Sequence, residues 1–335
     1  MSYQTGVPTD EIDLLQQLVA FLAGLGWTTD LSAAEGAGWR AHLHKSGLYV
    51  NLRAMRGETG ITTWPPGLTS GFYDGLGLSL GTGFNGTNNW YDQAGVPTFL
   101  SSSVYYPLGV MGINTKSAGS APFSMAPFTR YHFFSTNDSV VVVLERSPLN
   151  FGVCGWGPSL TKTGGAWTGG QYFFGSVGVF FASSQQVNTG GCPFSCYGWS
   201  DQDATGFVRA DVDSYTGAWV ANFGTQEANY GKLCSSGIAE TVNPPQDLPS
   251  VYQLVRRSFS NLNAQANLVP VDIYAHRDGG GYSLLGTVPN VFATNAATYG
   301  NFSSGTVYSI GADNYMIFGG NISGPETPGF AIKKT

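Results

Sequence analysis

Charge is scarce in this chain. Only 11% of its 335 residues are Asp, Glu, Lys or Arg, against roughly 25% in an ordinary soluble protein. There is no basic tract, and the net charge is −6. A dedicated nucleic-acid surface is normally basic, so that class is set aside. Long apolar runs are missing too. The stretch Leu14 to Leu25 is too short and too interrupted to span a bilayer, so no membrane insertion is expected. The opening Met-Ser-Tyr-Gln-Thr-Gly-Val-Pro has no positive n-region, so the chain is expected to be made and kept in a cytoplasm. Cysteine is rare: Cys154, Cys192, Cys196 and Cys234 are all there is. In a reducing compartment these are expected to be free thiols. Histidine is as sparse, at positions 42, 44, 132 and 276.

Aromatic residues and glycine are plentiful instead. Aromatics make up 14% of the chain, and there are 47 glycines. That balance fits a β-rich fold with many turns. It also fits a chain whose surface is covered by neighbours, because a monomer so poor in charge would expose large apolar patches. The length allows one large or two to three ordinary domains.

One amphipathic helix is expected over Thr9 to Leu25. Ile12, Leu15, Val19 and Leu22 recur at helical spacing, and Leu14, Leu18, Phe21 and Leu25 widen the apolar face. Thr9 reads as the N-cap, Asp10, Glu11 and Asp13 suit the positive end of the helix dipole, and Gly26 reads as the stop. Residues 39–55 read as two strands turning at Lys45-Ser46-Gly47. Residues 57–127 are crowded with Gly, Pro, Ser and Asn and show no sustained period. A stretch so long without secondary structure reads as an interaction arm. Its aromatics Trp64, Phe72, Tyr73, Phe84, Trp90, Tyr91, Tyr105 and Tyr106 are expected to supply contact area against the body or a neighbour.

Two strands are expected about the turn Thr136-Asn137-Asp138, since Asn and Asp tolerate left-handed geometry. Val140 to Val143 are β-branched without alternation, which predicts a strand covered on both faces. Strands resume at 207–212 and 218–223, and 240–250 reads as a linker. Two hairpins are expected at the C-terminal end, around 277–281 and 311–314, with Leu284, Val288, Ile310 and Ile317 in their core. The expected fold is therefore mainly β, or α+β with one N-terminal amphipathic helix, as an antiparallel sandwich or barrel-like body with long ordered loops. The parts are 1–128 (helix, hairpin and aromatic arm), 129–239 (central antiparallel β region) and 240–335 (linker and small β module).

No constellation of catalytic residues stands out. Gly81-Thr82-Gly83-Phe84-Asn85-Gly86 has the spacing of a dinucleotide fingerprint, but no helical pattern follows it. Cys192 and Cys196 could share a metal or pair after cell lysis, yet zinc normally needs four ligands and free thiols remain the preferred reading. Asp201 and Asp203 begin like a calcium loop, but Val212 stands where a bidentate Glu belongs. His42 and His44 would share one strand face as a metal pair, although such histidines are more often hydrogen-bonded or exposed. Asp211 and Asp213 are a carboxylate pair of the kind any β protein offers. No cofactor is expected.

Three blocks resemble virion structural proteins of tailed bacteriophages. The first is Tyr131-His132-Phe133-Phe134 followed by Phe151-Gly152-Val153-Cys154-Gly155 and Trp167-Thr168-Gly169-Gly170-Gln171-Tyr172. The second is Leu285-Gly286-Thr287-Val288-Pro289-Asn290-Val291, with Ile310-Gly311-Ala312-Asp313-Asn314-Tyr315 after it. The N-terminal helix is the third. The chain departs from the family pattern at Asn290, where an acid is usual, and at Tyr315, where Trp is usual. The resemblance covers about a third of the chain and supplies no catalytic residues. It implies a non-enzymatic structural subunit of the virion, made in the bacterial host cytoplasm. The expected partners are copies of itself in a sixfold or twelvefold ring and other neck, collar or tail proteins. The alternative is a tail fibre or baseplate adhesin, with Trp64, Trp90 and Trp167 stacking on a host glycan.

Overall fold

The computed structural model describes residues 1–59, 72–96, 98–101, 104–107, 111–114, 129–147, 150–175, 177–178, 206–211, 219–221, 233–235, 268–276, 282–294, 305–318 and 329–335. In chain order these form β1 (Ser2–Gly6), α1 (Glu11–Gly24), β2 (Thr28–Glu35), β3 (Gly38–Lys45), β4 (Leu48–Thr59), β5 (Phe72–Gly81), β6 (Thr98–Ser101), β7 (Val104–Pro107) and β8 (Met111–Asn114). Then come β9 (Arg130–Thr136), β10 (Ser139–Ser147), β11 (Asn150–Gly157), β12 (Thr161–Lys162), β13 (Thr168–Gly175), β14 (Val177–Gly178), β15 (Gly206–Asp211) and β16 (Trp219–Ala221). The last are β17 (Leu233–Ser235), β18 (Leu268–His276), β19 (Tyr282–Thr294), β20 (Thr306–Ile310), β21 (Asp313–Phe318) and β22 (Gly329–Lys333). The protein is thus mainly β with one N-terminal helix.

The helix starts one residue later than the sequence suggests. Asp10 is the N-cap, because its carboxylate accepts the Asp13 backbone N–H at 2.8 Å. Thr9 instead donates its backbone N–H to the Asp13 carboxylate at 2.8 Å. At the other end Gly26 takes φ +81°, where an L side chain would be strained. Its N–H bonds the Ala23 carbonyl and that of Trp27 bonds the Leu22 carbonyl, closing the orphan carbonyls of the last turn.

Three sheets carry most of the strands, and every pairing is antiparallel. The central sheet runs β1-β9-β10-β11-β13-β15-β16. The N-terminal sheet runs β14-β8-β5-β4-β3-β2, and the C-terminal sheet runs β17-β18-β19-β22-β21-β20, with β12 against β19. The pairings cross the boundaries expected near 128 and 239. β1 pairs with β9, β14 with β8, and β17 with β18.

Two cores lie on opposite faces of the central sheet. Phe133, Val140, Val142, Leu144 and Trp156 join α1 and the apolar face of the N-terminal sheet. Phe134, Val141, Val143, Phe151 and Phe174 join Val271, Leu285, Phe318 and Phe330 of the C-terminal sheet. Alternate residues of Val140 to Val143 therefore serve different cores, which is why the run has no polar face. The turn into β10 places Asn137 and Asp138 at φ 49° and 66°, the geometry of a tight hairpin matched to strand twist.

Several expectations are corrected. The segment 57–127 contributes β5 and β8 to the interior of the N-terminal sheet, so those parts are body and not arm. In the C-terminal sheet Val288 and Ile317 are buried, but Leu284 is 37% and Ile310 is 53% exposed. Period-two alternation gives the parity of a strand but not where the covering sheet stops.

Candidate functional site: a buried polar chain beneath the 82–96 loop

The apolar face of the N-terminal sheet, with Ala41, Leu43, Val50, Leu52, Leu78 and Leu80, meets α1 and the central sheet. Strand alternation then puts Arg40, His42, Asn51, Arg53 and Ser79 on the other face. That face is buried as well. His42, Asn51 and Ser79 sit in one row, because His42 pairs with Asn51 across β3–β4 and Asn51 with Ser79 across β4–β5.

Their hydrogen bonds have one direction. A guanidinium only donates, so Arg40 Nε donates to His42 Nε2. His42 Nδ1 must then carry the proton, which it donates to Asn51 Oδ1 at 2.7 Å. Asn51 Nδ2 donates to Ser79 Oγ at 3.1 Å, and Ser79 Oγ donates to the Trp90 carbonyl at 3.0 Å. Burial is the main reason the His42 pKa falls to about 4. The Arg40 charge pushes the same way, against the hydrogen bond to Asn51. Arg40 and Arg53 also hold Glu35, each at 3.2 Å.

The chain of bonds ends in a loop that it fastens down. Residues 82–96 leave and return to the same point, with Thr82 N–H bonded to the Ala94 carbonyl at 2.6 Å. Such compact loops pack on their own side chains. Gln93 is the centre here: it accepts from the Asn85 N–H and donates to the carbonyls of Asn85, Asn88 and Asn89. Arg40 Nη2 donates to the Asn88 carbonyl at 2.6 Å, and Arg209 of β15 donates to the Gly95 carbonyl at 2.7 Å. Trp90 packs over Gly77, where a Cβ would lie 2.6 Å from the indole. Gly77→Ala is therefore expected to destabilise by about 1–3 kcal/mol through overpacking, read as a lowered midpoint in urea unfolding. An unchanged midpoint would mean that the loop yields freely.

This geometry places the residues singled out from sequence. Trp90 is 4% exposed, so its contact surface is taken up inside its own chain and it is not an interface aromatic. Phe84 is half-buried with its ring 4.8 Å from that of His42, and Tyr91 is half-buried edge-on to Trp90. Phe72 and Tyr73 lie in β5, and Tyr105 and Tyr106 in β7, with side chains outside the description. Trp64, Cys192, Cys196, Asp201, Asp203 and Asp213 lie outside the described residues. The glycine-rich 81–86 segment opens the loop, and turns, not a helix, follow it. His42 and His44 do not act together: His42 lies between Arg40 and Asn51, while His44 Nδ1 meets Asp30 at 2.8 Å. A guanidinium beside His42 is a poor neighbour for a cation. Cys154 is a buried free thiol, and burial pushes its pKa up, which leaves it unreactive. Trp167 packs against the second core with Lys162 Nζ 4.3 Å over its ring.

A second polar cluster was not legible in the sequence. Tyr3 Oη lies 2.8 Å from His132 Nδ1, and His132 Nε2 lies 2.9 Å from Glu145 Oε1. The pairing of β1 with β9 brings Tyr3 to a ring 129 positions away. No local pattern announces such a contact. Both clusters have one effect in common: they fasten a peripheral segment, the 82–96 loop or β1, onto a sheet. No protein-family model matches the chain, and no curated protein matches it.

Proposed function

We propose that this chain is a non-enzymatic structural subunit of a tailed-phage particle, forming a ring in the neck, collar or tail and joining neighbouring components during assembly. The observation that supports this reading best is the use of the buried polar side chains. Arg40, His42, Asn51, Ser79 and Gln93 lock a surface loop onto a sheet. That suits a scaffold which must hold its outer segments rigid against neighbours. The resemblance of the 131–172 and 285–315 blocks to virion structural proteins points the same way. A ring subunit presents two complementary faces to identical neighbours, and a heterologous contact closes when its rotation fits. Of the tryptophans named for glycan binding, Trp90 is internal and half-buried Trp167 carries Lys162 Nζ over its ring, while Trp64 lies outside the described residues.

Deleting the gene tests the proposal. Electron microscopy of the lysate is expected to show heads and tails that fail to join. Complete particles that cannot adsorb would overturn it in favour of an adhesin. In purified wild-type particles the density of this chain should show sixfold or twelvefold symmetry.

A further inference from the structure

β2 and β20, one terminal strand of the N-terminal sheet and one of the C-terminal sheet, are built differently. β2 ends its sheet with a register shift between Thr29 and Leu31 and with charges at Asp30 and Glu35. Bulges and charges are how sheets blunt a free edge. β20 has neither. Thr306-Val307-Tyr308-Ser309-Ile310 is uncharged, rich in β-forming residues, and in unbroken register with β21. Val307 is 41% and Ile310 53% exposed, and no described strand lies beyond β20.

The backbone directions at this edge follow from the neighbouring bonds. Asn314 donates to the Thr335 carbonyl and accepts from Lys334, so its polar groups point toward β22. In an antiparallel ladder the flanking residues point the other way. Asp313, Tyr315 and Ile317 therefore bond β20 through Ile310, Tyr308 and Thr306, their register partners. The N–H and C=O groups of Val307 and Ser309 are left pointing outward.

We propose that this edge is a two-fold seam between two copies of the chain, with β20 pairing antiparallel to β20 of the second copy about Tyr308. Val307 of each copy exchanges hydrogen bonds with Ser309 of the other, and the two Tyr308 residues stand directly opposite. The match is self-complementary in charge. β20 carries none, and the nearest charged pair on the Tyr308 face, Asp313 and Lys333, is closed within the chain at 2.8 Å. Among the described residues, symmetry thus sets no like charges face to face. The Tyr308 face also carries Phe292, Tyr315 and Ile317. Pairing makes one continuous sheet whose aromatic stripe runs Tyr315–Tyr308–Tyr308–Tyr315, a favourable cross-strand arrangement. The seam goes beyond the virion proposal and does not depend on it. It adds an isologous contact to the heterologous one that a ring requires.

The test uses the isolated full chain. By light scattering its mass is expected to be an even multiple of 35.5 kDa. Tyr308→Glu and Tyr308→Lys should each halve that mass, because like charges would sit about 4.5 Å apart at the Cα positions of such a pair. Mixing the two variants should restore it, which an unfolded variant could not do. Hydrogen exchange of the wild-type 305–312 segment supplies a readout without mutation: it should slow as protein concentration rises. A wild-type monomer, an odd copy number, variants that keep the full mass, a mixture that fails to re-pair, or exchange independent of concentration would each overturn the seam. These results read self-association alone, so they are separable from the outcome of the gene deletion.

Discussion

Replacing Trp156 by Ala is expected to cost about 3–5 kcal/mol, against a total stability of about 5–15 kcal/mol for a typical domain. Trp156 has no exposed surface and is among the largest side chains in the first core. It stands between Val140 and Phe173 as its cross-strand partners, and Trp27 meets it edge-on at 6.3 Å. The cavity would open where α1, the N-terminal sheet and the central sheet converge, and sheets on both sides hinder its collapse. Trp156→Phe should behave differently. The indole Nε1 of Trp156 is buried without a hydrogen-bond partner among the described residues, and removing an unsatisfied donor recovers its desolvation penalty of about 1–3 kcal/mol. That gain offsets much of the lost volume, so the Phe variant should stay within about 1.5 kcal/mol of the parent. Urea unfolding followed by circular dichroism reads both. Equal costs for Phe and Ala would show that the indole N–H is satisfied after all.

Acid is expected to weaken the fold between pH 6.5 and about 4 through His42. In the unfolded chain its imidazole takes up a proton near the ordinary value of 6.5. In the folded chain it does so only near pH 4, chiefly because it is buried and further because Arg40 is beside it. Between those values the unfolded state binds more protons, so stability rises with pH and falls on acidification. Above 6.5 the group contributes no slope, and below about 4 the loss is complete. At about 1.4 kcal/mol per pH unit the full effect is on the order of 3 kcal/mol. The structural consequence is specific, since a protonated His42 cannot accept from Arg40, the residue that also holds the Asn88 carbonyl of the 82–96 loop, while its Nδ1 still donates to Asn51. His42→Gln removes the titration while keeping a polar group. The pH dependence of the melting temperature over this window should flatten in that variant. If wild type and variant show the same slope, His42 is not the group responsible.

Much of the local structure could be read along the chain. The helix followed from its apolar spacing, and the 136–139 hairpin from Asn137 and Asp138. The two-sided burial of β10 followed from four consecutive valines. Even the error at the helix start is small and physical: Thr9 and Asp10 are both competent caps, and the reach of the Asp10 carboxylate to the Asp13 N–H decided between them. β1 was missed because Ser-Tyr-Gln-Thr-Gly has no apolar alternation; it becomes a strand only because β9 offers it an edge. For Trp90 the sequence leaves body and neighbour both open, because an aromatic in a Gly-rich segment looks the same whether its partner is a neighbour or Gly77 of its own sheet.

By itself, then, the sequence determined element types and strand parity, since these rest on residue-by-residue backbone preference and on periods of 3.6 and 2.0. It also determined the mainly β class, through scarce charge, abundant aromatics and frequent glycine. The tertiary structure alone decided which strand faces meet. It put Val140 and Val141 into different cores, left Ile310 uncovered, and gathered Arg40, His42, Asn51 and Ser79 into one directed chain. Those outcomes depend on contacts between residues far apart in sequence, and a side chain's neighbours across a sheet are fixed by register and layer order, which no local pattern encodes.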